Sequence, residues 1–259
     1  MVKRLFQVLL VLSLVTVTLR AANDPFVGKW KLNPDKSTLT DEMKVSAVGP
    51  NKYGFDFGSG DSEIIVVDGI DQPGLDGSTL AVTAEGPNNW KVVRKKDGRM
   101  QISAIWTLSA DGNTLHDNFT GYQSNGSTFR LDYLYARTAG SSGFSGTWDS
   151  NSAKVDSAVE IEVQPHEDDG LSFIDAAQKS TKNMKFDGKD YPVEGPNAAA
   201  GSTSSARRVN ASTLEFTEKL NGKVTDTQHI EISPDGKTMT TTIQSPGRSK
   251  ENILIFDRE

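Results

Sequence analysis

Phe26-Val27-Gly28-Lys29-Trp30 opens a pattern that Phe144-Ser145-Gly146-Thr147-Trp148 opens again in the second half of the chain. Each copy closes on an apolar, aromatic strand ending in arginine: Leu131-Asp132-Tyr133-Leu134-Tyr135-Ala136-Arg137, then Ile253-Leu254-Ile255-Phe256-Asp257-Arg258. Between these ends, turn dipeptides follow in the same order. Asp68-Gly69 answers Asp187-Gly188, Asp97-Gly98 answers Asn221-Gly222, and Asp111-Gly112 answers Asp235-Gly236. Solenoid repeats run to roughly 20–50 residues, so a repeat spanning half the chain reads as a duplicated domain.

Working outward from these ends, side chains alternate with period two. Gln101-Ile102-Ser103-Ala104-Ile105-Trp106-Thr107-Leu108 and Val159-Glu160-Ile161-Glu162-Val163 read as half-buried strands. Pro50-Asn51, Asn125-Gly126 and the Asp-Gly and Asn-Gly pairs supply residues that tolerate positive φ, as tight hairpins require. Leu214 to Leu220, Lys223 to Ile232, Lys237 to Gln244 and the last strand form successive hairpins, matched in the first half from Trp90 to Arg137. No segment carries a 3.6-residue apolar stripe. The expected fold class is therefore all-β, two tandem antiparallel up-and-down domains covering residues 24–137 and 144–259, each a closed barrel or a sandwich. Thr138 to Gly143, small and polar, reads as the linker. Gly195 to Ser205 reads as a mobile loop within the second domain.

Residues 1–22 read as a secretory signal. Lys3 and Arg4 precede the apolar run Leu5 to Leu19, and Ala21-Ala22 offers small residues for cleavage. The run is shorter than the ~18 or more apolar residues of a spanning helix; the alternative is an uncleaved anchor. The chain has no cysteine. That excludes disulfides, thiol catalysis and thiolate metal sites, and leaves stability to the cores. A secreted or periplasmic protein of the bacterial envelope is the expectation, a monomer without a membrane span once the signal is cleaved. Of 28 basic residues, removal of Lys3, Arg4 and Arg20 leaves 25 against 34 acidic, a mature charge near −9. An acidic surface repels phosphate backbones, so nucleic acid is not an expected partner. Arg94-Lys95-Lys96, beside a turn, reads as a solvated edge. Asn118-Phe119-Thr120, Asn125-Gly126-Ser127 and Asn210-Ala211-Ser212 fit the glycosylation pattern, as chance allows in a chain rich in Ser, Thr and Asn.

Gly-x-Trp on a first strand with arginine near the end of the last resembles the lipocalin and fatty-acid-binding-protein superfamily, the calycins. The resemblance covers the mature chain once per half. Gly28-Lys29-Trp30-Lys31-Leu32-Asn33-Pro34-Asp35-Lys36-Ser37 and Phe186-Asp187-Gly188-Lys189-Asp190-Tyr191-Pro192-Val193 are similar, more narrowly, to uncharacterised lipocalin-like exported proteins of soil bacteria. It implies two up-and-down barrels, each plugged at one end by a tryptophan with a guanidinium over it, a cation–π contact. Trp30 would take Arg137 and Trp148 would take Arg258, with Gly28 and Gly146 allowing close backbone approach. The first copy departs from the pattern at Val67 to Gly74, where the tyrosine is lost.

Catalytic signatures are absent: no Gly-x-Ser-x-Gly elbow, no phosphate-cradling glycine loop, no His-Glu-x-x-His. Parity turns Leu115, Phe119, Ile230 and Ile232 inward, so His116 and His229 point out, while His166 falls in the turn Pro165 to Gly170. No inward histidine is left to ligate a haem. Glu167-Asp168-Asp169 lacks the spaced ligands of a calcium loop and reads as a solvated turn. No catalytic residue, cofactor or metal is expected. Glu218, Asp226 and Gln228 share inward parity with Phe216 and Ile230, against Arg94, Ile102 and Ala104 in the first half. The second interior is therefore expected to be the more polar, unless Glu218 and Asp226 sit in water at a hairpin tip.

Three functions stay open. The first is an exported protein that binds or buffers a small apolar or amphipathic ligand, with Tyr191, Phe216, Glu218, Asp226, Gln228 and Ile230 of the second barrel as candidate binding residues and the loop from Gly195 as a gate. The second is a structural or interaction module of the cell envelope with filled barrels. The third, an enzyme, would need inward titratable groups meeting in one aromatic pocket. The first is the reading preferred, and it rests on fold-level analogy.

Overall fold

The computed structural model describes residues 24–259 except 59, 123–125, 127, 157–158 and 197. The signal reading of residues 1–22 and part of the Asn125-Gly126-Ser127 acceptor lie outside the described residues. In chain order the first strands are β1 (Gly28–Leu32), β2 (Asp41–Gly49), β3 (Lys52–Asp56), β4 (Glu63–Val66), β5 (Gln72–Pro73), β6 (Ser78–Gly86), β7 (Asn89–Lys96), β8 (Arg99–Leu108), β9 (Thr114–Tyr122) and β10 (Thr128–Ser142). They continue as β11 (Ser145–Asp156), β12 (Glu160–His166), β13 (Gly170–Asp175), β14 (Ser180–Met184), β15 (Tyr191–Glu194), β16 (Ser202–Asn210), β17 (Thr213–Leu220), β18 (Lys223–Ile232), β19 (Thr238–Gln244) and β20 (Asn252–Arg258). All pairings are antiparallel.

Two ten-stranded up-and-down sheets result. The first, in the order β4-β3-β2-β11-β10-β9-β8-β7-β6-β5, is nearly closed; the second, β1 followed by β12 to β20, is a closed barrel. The all-β class and the barrel form match the sequence reading. At the seam of the first barrel the Gln72 side chain of β5 acts as a missing peptide group. Its Oε1 accepts from Val66 N–H at 2.8 Å and its Nε2 donates to Val66 O at 2.7 Å. The turn chemistry is as read: Asp97 and Gly98 have φ of 51° and 74°, Asn221 and Gly222 of 51° and 79°, the paired positive values of a tight hairpin.

The domain boundaries differ from the expectation, because the opening strands are exchanged. β1 pairs with β12 and β20 of the second barrel, whereas β11 pairs with β2 and β10 of the first. The cause is the segment read as a linker. Thr138 to Ser142 continue β10, and Ser142 pairs with Ser145 across Gly143-Phe144. A two-residue hairpin returns the chain antiparallel beside the strand it leaves, so β11 docks on β10 and takes Trp148 with it. The place beside β20 is filled by β1. Segment 33–40 then carries the chain across to the first barrel, held by Thr38 paired with Ile253 and by Asn252 Oδ1 accepting from Thr40 N–H at 2.6 Å.

The plug pairing is corrected accordingly. Arg258 lies over Trp30 at 4.1 Å, and Arg137 over Trp148 at 4.2 Å. Both indoles are fully buried. Each donates its N–H to the carbonyl four residues earlier, Phe26 and Phe144. Each guanidinium is spread over three carbonyls: Gly236, Val27 and Pro25 for Arg258; Gly112, Ser145 and Gly143 for Arg137. A Cβ on Gly28 or Gly146 would come within 2.6 Å of the guanidinium nitrogen above it, which is why glycine occupies both positions. Around these plugs two apolar cores form. Phe55, Ile65, Leu80, Val82 and Leu115 fill the first; Val163, Leu171, Met184, Leu214 and Phe256 fill the second.

Candidate functional site

A cavity of about 440 Å³ opens inside the first barrel. Its apolar wall comes from inward positions of β2, β6, β7 and β8: Met43, Leu80, Val92, Ile102, Ala104 and Trp106. Phe57, Phe119 and Leu131 extend it. That volume falls in the range of small-molecule sites, which combine apolar walls with a few convergent polar groups.

The polar groups enter from several elements. On β9, alternation that turns Leu115 and Phe119 inward turns Asp117 inward between them, and it is 6% exposed. Its cross-strand neighbours are Trp106 on β8 and Tyr133 on β10. The Trp106 indole N–H lies near the carboxyl and favours its ionised form, but the contact falls short of a hydrogen bond. Asp117 Oδ1 and Trp106 Nε1 have no hydrogen-bond partner among the described residues. Burial, then the charges of Asp41 and Asp132, push the Asp117 carboxyl up to about 7. Burial likewise raises the phenols of Tyr133 and Tyr135, which stay protonated.

The other charged groups lining the cavity, Asp41, Arg94 and Arg248, are all held in ion pairs. Arg94 of β7 grips Glu63 of β4 with two bonds of 2.8 and 2.7 Å and donates a third to Ser78 Oγ at 2.7 Å. At the mouth, Asp41 of β2 accepts from Tyr135 Oη at 2.6 Å and pairs with Arg248. Arg248 belongs to the segment between β19 and β20, in the second barrel. It also donates to Phe57 O at 3.0 Å, while Lys250 of the same segment pairs with Asp149 of β11. Ser245, Arg248 and Asn252 line the cavity, so a loop of one barrel completes the interior of the other.

The residues singled out in the second barrel are not gathered into this site. Phe216 and Ile230 are core residues, Phe216 meeting Phe173 edge-on at 5.0 Å. Glu218 is buried rather than solvated. It accepts from Lys182 at 2.7 Å and from Ser204 Oγ at 2.9 Å. This β14–β17 pair mirrors Glu63–Arg94 of β4 and β7 with the charges reversed. Gln228 donates to Asp226 at 2.9 Å, and Tyr191 Oη donates to Asp187 at 3.2 Å. Phe216 and Gln228 border a 240 Å³ depression with Glu215, Thr217, His229 and Thr242, most of them on the outward parity of β17 to β19. The first barrel's interior is thus polar as well, through Asp41, Arg94 and Asp117 at its cavity. Ser202 to Ser205 open β16 and pair with β17, so the loop from Gly195 ends at Gly201, and its residue 197 lies outside the described residues.

The histidines lie where parity placed two of them. His116 and His229 are exposed, His116 beside Asp132 at 2.8 Å; His166 ends β12 instead of lying in the turn. Glu167 is held by Lys185 at 2.7 Å. Among the described residues no group of three or more His, Asp or Glu side chains could hold a metal, and no helix is long and apolar enough to cross a membrane. Sequence reasoning missed Asp117, although the alternation at Leu115 and Phe119 held the signal; the arrival of Arg248 had none. Comparisons with family models, curated proteins and solved structures gave no match.

Proposed function

We propose that the chain is an exported, lipocalin-like protein built by duplication, and that it binds one small, mostly apolar ligand in the interior of the first barrel. The observation that carries this reading is the 440 Å³ cavity with apolar walls and two buried polar atoms, Asp117 Oδ1 and Trp106 Nε1, left without hydrogen bonds. An unpaired buried polar atom costs roughly 1–3 kcal/mol, and a ligand that satisfies it recovers that cost. The role is binding without turnover, since the remaining charges, Asp41 with Arg248 and Glu63 with Arg94, are spent on each other. The second barrel, its interior pair Lys182–Glu218 closed and its core packed, serves as support and supplies the segment from Ser245 to Asn252 as a cover.

Titration of the full chain with the uncharged apolar dye Nile red tests this. Saturable binding at one dye per chain is expected. Ala104→Trp, which fills the cavity from β8, should abolish it, whereas Phe216→Leu in the second barrel should leave it unchanged. Binding that survives Ala104→Trp in a folded variant, or no binding at all, defeats the reading and returns the chain to a structural or interaction role.

A further inference from the structure

Resting on that cavity reading, we infer that the ligand class is a small apolar amine, its ammonium group seated against the Asp117 carboxylate among the aromatic side chains of the first barrel. The charges at the cavity wall are few and mostly paired. The lining carboxylates are Asp41 and Asp117 and the lining guanidiniums are Arg94 and Arg248; Glu63, outside the lining, engages Arg94. Arg94 is committed to Glu63 by two hydrogen bonds and Arg248 is paired with Asp41. Asp117 is the carboxylate left over, 6% exposed and with Oδ1 unpartnered among the described residues.

Each ligand class can be weighed against this wall. An acid would need a guanidinium that Glu63 or Asp41 already holds, and would bring a second negative charge toward Asp117. An uncharged ligand would take up the apolar wall and leave the carboxyl protonated or, above about pH 7, a buried charge without a counter-charge, the costly arrangement in a low-dielectric interior. An ammonium supplies that charge and three donors. The surroundings suit a cation. Trp106 and Tyr133 flank Asp117 across the sheet and Phe119 lines the same space, aromatic surroundings that favour a desolvated cation; Phe57 already carries the Arg94 guanidinium at 5.6 Å. The indole N–H of Trp106 favours the ionised carboxyl.

The groups that face Asp117 fix the expected pH dependence. They are Trp106 from β8, Tyr133 and Tyr135 from β10, Asp41 from β2, Arg94 from β7 and Arg248 from the segment after β19, with Asp132 acting through the sheet from its outer face. The phenols stay neutral and the two arginines are ion-paired, so Asp117 is the group that titrates near neutrality. An amine that stays protonated should therefore bind more tightly as pH rises through about 7.

Isothermal titration of the full chain with 2-phenylethylamine and with its uncharged isostere 2-phenylethanol decides the matter. At about pH 8 the amine should bind at least ~10-fold more tightly than the alcohol, the equivalent of ~1.4 kcal/mol. Lowering the pH to about 5.5 should weaken the amine on the order of 10-fold, as the carboxylate fraction falls, and move the alcohol little. Asp117→Asn should erase the preference. Equal affinities, a preference that survives Asp117→Asn, or an amine affinity indifferent to pH would overturn the amine assignment and leave the cavity reading standing. Failure of both compounds with Nile red still bound would do the same; failure of all three removes the cavity reading and the proposal with it. Should Asp117→Asn not fold, the pH comparison on the unaltered chain decides alone.

Discussion

At the scale of the residue, Asp117 concentrates the tension in this molecule. A carboxyl pushed up to about 7 binds its proton in the folded state while the unfolded chain has already released it. The folded-state pKa is raised, so the stability linked to this proton is complete below about pH 4 and is lost as pH rises toward about 7. Asparagine cannot ionise, so Asp117→Asn should gain on the unaltered chain across that window and hold a constant lead above it. The full shift corresponds to a ceiling of about 4 kcal/mol. Melting temperatures of both proteins from about pH 4 to pH 8 check it: a difference that does not change with pH would mean the carboxyl is hydrated. The position was readable from alternation, since a residue between two inward neighbours at two-residue spacing must itself face inward. Its signal is a single aspartate, weaker than at the β17–β18 hairpin, where Glu218, Asp226 and Gln228 share inward parity.

At the scale of the element, strands and turns were legible because each obeys a local rule. β8 follows the alternation of Gln101 to Leu108, and the Asp97-Gly98 and Asn221-Gly222 turns follow from positive φ. Two segments failed for one reason. Thr138 to Ser142 and Ser202 to Ser205 are small and polar, which reads as loop, yet both are strand. Their structure comes from the strands they pair with, Thr147 opposite Ala139 and Lys219 opposite Thr203 among them, and β-propensity yields to such context. The seam between β4 and β5 is likewise invisible in sequence. Only the structure shows the Gln72 amide standing in for a strand. Gln72→Leu removes both bonds to Val66 and should cost about 1–3 kcal/mol, the penalty of unpaired backbone groups. Hydrogen exchange of the Val66 amide should speed up beyond what that global loss explains. Unchanged exchange would show that water or another group replaces the side chain without loss.

For the whole molecule, the two barrels are less separable than their sequences imply. Each includes the opening strand of the other half, and the cavity of the first is covered by a loop of the second. The landmarks at Gly28, Trp30, Gly146, Trp148, Arg137 and Arg258 were all legible, but which arginine covers which indole was not. The two plugs are chemically alike, with the same N–H to carbonyl bond and the same three-carbonyl cradle, so composition has no preference between the pairings. The short β10–β11 hairpin decides it by geometry. Trp30→Ala and Trp148→Ala should each cost ~3–5 kcal/mol, as loss of a buried large aromatic does, but at different addresses. With Trp30→Ala, hydrogen exchange should rise in β12 and β20, the partners of β1, around Ile161 and Phe256, while β2 and β10 keep their protection. With Trp148→Ala, the loss should fall on β2 and β10, around Met43 and Tyr135, and spare β20. A molecule with unexchanged strands would reverse the two maps, because Trp30 would then support the barrel of β2 and β10. Uniform loss of protection in both variants would instead mean that the barrels unfold as one unit, coupled through segment 33–40 and the Arg248–Asp41 contact.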